Sequence, residues 1–166
     1  MALEDDGVPT EEELERLPGV PSKKRRAAGP VAVIECAEEI PCNPCELVCP
    51  KGAITVGEPI TSLPVLHEEK CDGCLICIAP CPGLAIFVVD ETYSDREATV
   101  MLPYEFLPLP EKGEKVDALN RRGEVVAEGT VVQVRNPKAF DRTPVVTVAV
   151  PKELGMEVRH IRLRRR

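Results

Sequence analysis

The sequence predicts an α+β fold: a small module of two repeated ββ halves, each built round a run of cysteines, followed by a small all-β barrel or sandwich domain. Two cysteine runs, Cys36, Cys42, Cys45 and Cys49 before Pro50, then Cys71, Cys74, Cys77 and Cys81 before Pro82, repeat each other at an offset of 32 residues. β-Branched stretches flank both runs. Beyond Pro103 come four short alternating stretches separated by turn signals. These features divide the chain into an arm at 1–30, a cysteine module at 31–98 and a β domain at 99–166.

In the arm, Thr10 with Glu13 three residues on is a capping box, so Thr10 to Leu17 is expected to be a short helix with Leu14 and Leu17 on one side. Pro18-Gly19 ends it, and Pro21 to Pro30 reads as linker. A helix with so little apolar surface does not stand alone, so the arm is expected to lie on another surface, in this chain or in a partner.

Val31 to Glu35 is a β-branched run ending at the first cysteine, with Ala53 to Val56 as its expected antiparallel partner. Val65 to Glu68 and Ala85 to Val89 repeat the arrangement. Glu46 to Val48 and Ile78 to Pro80 are expected to be short helical turns. Pro50 and Pro82 stop them, having a fixed φ and no amide hydrogen. Pro103, Pro108 and Pro110 then punctuate a connector. The last strands are expected at Glu114 to Leu119, Glu124 to Arg135, Pro144 to Val150 and Val158 to Leu163, parted by turns at Arg122-Gly123, Asn136-Pro137 and Pro151 to Gly155.

The repeat maps Cys42 to Cys74, Cys45 to Cys77, Cys49 to Cys81, Pro50 to Pro82, Ala53 to Ala85 and Ile54 to Ile86. The second run, CxxCxxCxxxCP, has the spacing with which thiolates hold iron-sulfur clusters. A disulfide framework would need an export signal, yet the first thirty residues hold no apolar stretch. Zinc is the stronger rival, but zinc ribbons set their two CxxC pairs far apart, whereas each set here is crowded and ends in Cys-Pro.

One position breaks the repeat: the mate of Cys71 is Glu39, while Cys36 sits three residues earlier. Either the loop Ala37 to Pro41 bulges and Cys36 ligates, or Glu39 offers a carboxylate. Soft iron in a sulfide cluster prefers the thiolate. Val48, Ile54, Leu75, Ile76 and Ile86 are expected to wrap the metal and limit water.

From Val31 to Asp90 the chain resembles bacterial-type ferredoxins with two 4Fe-4S clusters. That resemblance implies a ferredoxin-like dicluster module with pseudo-twofold ββ halves, in which the fourth cysteine of each run serves the other cluster. Cys36, Cys42, Cys45 and Cys81 would hold one, and Cys71, Cys74, Cys77 and Cys49 the other. The stretch Gly29 to Ile54 is similar to small dicluster proteins that accompany flavin-dependent dehydrogenases of the proline, hydroxyproline, sarcosine or glycerol-3-phosphate type. It implies an electron-transfer subunit of a multi-subunit oxidoreductase. Flavoprotein dehydrogenase subunits would be its partners in a hetero-oligomer, and FAD or FMN would reside only in them. The alternatives are a free ferredoxin-type carrier and a scaffold protein with structural clusters.

Composition narrows the partners. Aromatics make up 3 % of the chain and there is no Trp, which leaves little for stacking on bases. Net charge is −7, but residues 27 to 100 hold twelve acids against three bases and residues 101 to 166 nine acids against thirteen bases. An acidic cysteine module faces proteins, not nucleic acid. The basic run His160, Arg162, Arg164, Arg165 and Arg166 reads as a solvated, frayed tail, with docking to an acidic partner subunit and then nucleic acid as the alternatives, and Lys23 to Arg26 carries the same readings. No histidine pair, nucleophile with a base, or phosphate loop appears in the β domain, so no catalytic residue is expected. No export or spanning segment is legible, so the expected location is cytoplasmic, without direct membrane insertion.

Overall fold

The computed structural model describes residues 2–164. The arm carries α1 (Ala2–Asp6), α2 (Glu11–Arg16) and α3 (Lys23–Arg26). The capping box forms as expected: the Glu13 amide donates to the Thr10 hydroxyl at 3.2 Å and the Thr10 amide to the Glu13 carboxylate at 2.9 Å. Leu14 is the residue that α2 buries.

The cysteine module contributes β1 (Val31–Ile34), α4 (Pro44–Val48), β2 (Ile54–Thr55), β3 (Val65–Leu66) and β4 (Ile86–Asp90). Then follow β5 (Glu97–Pro103), β6 (Lys115–Leu119), β7 (Val125–Arg135), β8 (Val145–Pro151) and β9 (His160–Leu163). All four expected C-terminal strands are present, and β5 is an addition. The segment after Cys77, expected as a short helical turn, forms turns in which the Cys81 amide donates to the Ile78 carbonyl at 3.3 Å.

Strand pairing within the cysteine module corrects the expectation. β1 pairs with β4, not with the strand after the first cysteine run, and β2 pairs with β3. The halves therefore exchange strands. Ile34 opposite Ile86 is matched by Leu66 opposite Ile54, the same pair shifted by 32 residues and reversed. The Glu35 amide donates to the Ala85 carbonyl at 2.8 Å, and its mate, the His67 amide, donates to the Ala53 carbonyl at 2.8 Å. Such an exchange carries the end of each cysteine run to the start of the other.

β4 also pairs with β5, and one seven-stranded antiparallel sheet runs in the order β1-β4-β5-β8-β7-β6-β9. The expected boundary at 98/99 falls inside β5. β7 serves two neighbours, its first half pairing with β6 and its second with β8, across a register shift between Val131 and Gln133. The extra residue bends the strand, as bulges do. Two cores result. One, around Val100, Leu102, Val116 and Val148, lies within the curled C-terminal strands; the other, around Ile34, Ile54, Ile78 and Ile86, carries the cysteines. β4 serves both: Phe87 faces the first and Val88 the second, the alternation of a strand buried on both sides.

The arm lies on this chain's own surface, one of the two seats expected for it, and Pro21 to Pro30, expected as linker, carries α3. The carbonyls of Pro18 and Gly19 accept from the amides of Leu66 and Ile34 at 3.0 and 2.9 Å, so adjacent residues bond to both members of a pseudo-symmetric pair. A Cβ on Gly19 would lie 2.7 Å from the Ile34 carbonyl oxygen, which explains glycine there.

The C-terminal basic run is likewise structured. His160 stacks with Tyr104 at 5.7 Å between centroids. Arg162 and Arg164 pair with Asp117 at 2.9 and 2.6 Å, on the neighbouring strand. Arg165 and Arg166 lie outside the described residues.

Candidate functional site

All eight cysteines are free of disulfides. They line two cavities, four at each. Cys36, Cys42 and Cys45 meet Cys81 at the first, which holds about 390 Å³ of atom-free space including its mouth. Cys71, Cys74 and Cys77 meet Cys49 at the second, with about 330 Å³. Each cavity thus takes three thiols from one run and one from the other, because the exchanged strands end there. Cys36 lines the first cavity, while Glu39 is exposed and does not; Glu38 does. Among the described residues no three His, Cys, Asp or Glu side chains are grouped as they would be round a single metal ion.

The local backbone repeats with the halves. The Ala53 amide donates to Cys49 Sγ at 3.2 Å and its mate, the Ala85 amide, to Cys81 Sγ at 3.5 Å. The Gly52 amide donates to the Cys49 carbonyl and the Leu84 amide to the Cys81 carbonyl, both at 3.2 Å. Both residues need φ near the left-handed region, 57° at Gly52 and 51° at Leu84. A non-glycine residue held there is strained, and the turn that aims Cys81 overrides the strain. At the second cavity the Ala32 amide donates to Cys71 Sγ at 3.4 Å.

Burial pushes the Cys77 thiol up to about 12 and the Cys45 thiol up to about 11, and the neighbouring cysteines add to both shifts. Cys36 and Cys74 are also raised, first by burial. Four apposed thiols cannot all ionise without a compensating cation, so each set is disposed to bind positive charge, which holds sulfur as thiolate. All-sulfur donors, amides aimed at sulfur and aliphatic walls fit a polynuclear iron-sulfur group, whose thiolates surround it instead of converging on one ion.

Beside the first centre lies a buried charge group that the sequence did not signal. Glu35, next to Cys36, accepts from Arg159 Nε at 2.8 Å and from Arg121 Nε at 2.9 Å and Nη2 at 2.6 Å. Arg159 also donates to the Gly155 and Val158 carbonyls and lies 5.0 Å from the Phe87 ring centroid. Burial raises the Glu35 carboxyl, but the Arg121 hydrogen bond and the two guanidinium charges outweigh it and leave it below the usual carboxylate range.

The cysteine loop of the second centre is held by the arm. Arg25 donates to the carbonyls of Gly29, Pro30, Glu68 and Cys71, the last at 2.6 Å. A single basic residue within Lys23 to Arg26 gives no sequence signal of that role.

A 47-residue stretch is 47 % identical to a protein from Methanosarcina acetivorans that is named as a component of an ion-translocating oxidoreductase complex. The stretch covers 28 % of this chain and 17 % of that relative. No family model and no solved structure matches the chain. Among the described residues, no helix is long and apolar enough to cross a membrane.

Proposed function

We propose that this chain is an iron-sulfur electron-transfer subunit of a multi-subunit oxidoreductase, built on a ferredoxin-like dicluster module. The observation that carries the proposal is the division of eight cysteines into two cavities, three from one run and one from the other at each. Cys36, Cys42, Cys45 and Cys81 would hold one 4Fe-4S cluster, and Cys71, Cys74, Cys77 and Cys49 the second. When bound, such clusters accept and release single electrons.

The chain's own residues hold, shield and tune. The amides of Ala32, Ala53 and Ala85 donate to cysteine sulfur, which favours added electron density there. Ile34, Ile54 and Ile86 exclude water. The partial match to a component of an ion-translocating oxidoreductase complex supports a seat within an assembly of several subunits. A flavoprotein dehydrogenase partner, with FAD or FMN in that partner alone, rests on the resemblance of Gly29 to Ile54.

The test is anaerobic purification of the full chain. Expected are a brown protein, about eight iron atoms per chain, and loss of electron transfer in Cys74→Ala. A colourless protein carrying zinc would overturn the proposal. Purification from native cells with flavin analysis separates the flavoprotein assembly from a free carrier. A scaffold would show no functional consequence of reduction.

A further inference from the structure

The two centres are related by a pseudo-twofold, but their surroundings are not. At the Cys71 centre the chain grips its own cysteine loop: Arg25 bonds to the Cys71 carbonyl, and Pro30 packs so closely on Gly73 that a Cβ there would lie 2.7 Å from the Pro30 Cβ. Lys51 pairs with Asp72 at 3.1 Å on its rim. That ion pair and those backbone contacts are made within the chain itself.

Two grooves adjoin the Cys36 centre in series and together make a trough. Cys81 and Pro82 line its cavity and also a groove of about 380 Å³ walled by Phe140. Glu105 and Asp141 line that groove and continue into a second, of about 590 Å³, beside Phe106 and Leu107. Ile40 at the cavity is 48 % exposed, Phe106 62 % and Leu107 87 %. Glu105 accepts from the Thr143 hydroxyl at 2.7 Å, which joins the two walls. Apolar side chains left in water along a trough are the mark of a docking surface.

The charge on this face selects the occupant. Glu38 and Glu39 border Ile40, and Glu58 lies two residues from Ile60, whose carbonyl accepts from the Cys42 amide at 3.4 Å. All three acids are exposed, and none forms an ion pair among the described residues. With Glu105 and Asp141 they outnumber the bases at the far end, Lys138 and Arg142.

We propose that the Cys36/Cys42/Cys45/Cys81 centre is the one that exchanges electrons with a protein partner, seated in the trough that ends at Phe106 and Leu107. The partner's contact face is apolar at its middle and basic at its rim. This rests on the iron-sulfur reading above. One electron leaves the reduced centre and enters the partner's one-electron acceptor; no bond forms or breaks and no proton is required.

The probe is ferricytochrome c, a basic protein whose haem iron takes one electron in going from ferric to ferrous. The anaerobically reduced full-length holoprotein is mixed with it at low ionic strength. Glu39→Lys and Glu58→Lys, each with unchanged reduction potentials, are expected to slow the bimolecular rate about fivefold and to converge with the parent at high salt. Glu69→Lys, the same reversal two residues before Cys71, is expected to change it less than about twofold. Carbodiimide coupling of the same pair, mapped by peptide analysis, should join cytochrome lysines to Glu39 or Glu58. Phe106→Ser with Leu107→Ser should lower the coupling yield while leaving iron content intact. Equal slowing by Glu69→Lys, or coupling concentrated at Glu69, would overturn the assignment while leaving the iron-sulfur reading standing. Absence of iron would instead remove that reading.

Discussion

Glu35 and Arg159 lie 124 residues apart and join the two cores. Glu35 extends the end of β1 beside Cys36, and Arg159 precedes β9. Their side chains are 9 % and 4 % exposed, and they meet at 2.8 Å. Removing the acid alone strands a buried guanidinium. Glu35→Ala is therefore expected to cost about 3–5 kcal/mol, read as a fall in the urea midpoint. Glu35→Ala with Arg159→Met should recover part of that loss. Equal midpoints for Glu35→Ala and the parent would refute the pairing.

The clasp at Pro18 and Gly19 gives a second prediction. Gly19→Ala sets a methyl against the Ile34 carbonyl at 2.7 Å, so the arm must lift. A cost of about 1–3 kcal/mol follows from such overpacking. Faster proteolysis within residues 1–30, with the sheet still protected, is the expected pattern.

At the irregular position of the repeat, Cys36→Ala should lower iron from about eight to about four atoms per chain on the two-cluster reading. Glu39→Gln should leave iron unchanged, because Glu39 is exposed and outside the cavity lining. The opposite outcome would make the carboxylate the ligand.

His160 sets a pH dependence. Burial beside Tyr104 and Phe106 holds its pKa below the ordinary 6.5. The unfolded chain then binds a proton where the folded chain does not, so stability is full above the unfolded value and declines as pH falls through it. Thermal midpoints between about pH 7.5 and 5.5, a window that spans the unfolded histidine value, should fall in the parent and stay flatter in His160→Gln. Parallel curves would show that the ring carries no such linkage.

The cysteine spacing, the capping box at Thr10 and the last four strands were legible because each is a local pattern. Strand partners were not: a four-residue β-branched run such as Val31 to Ile34 states that a strand exists, not which neighbour it takes. β5 escaped because the run from Glu97 to Pro103 ends at a proline and leads into a proline-rich stretch. Arg25, Arg121 and Arg159 were hidden for another reason. An arginine reads as surface unless its acceptor is known, and theirs are carbonyls and a carboxylate brought close only by the fold.

The carbonyls of Pro18 and Gly19 leave the ribosome before either strand they grip. Leu66 is made almost fifty residues later, so the clasp can shut only after β3 has emerged, just ahead of Cys71. The clasp can thus tie β1 to β3 before the thiols of the second run are made, giving the later half a fixed edge to fold against.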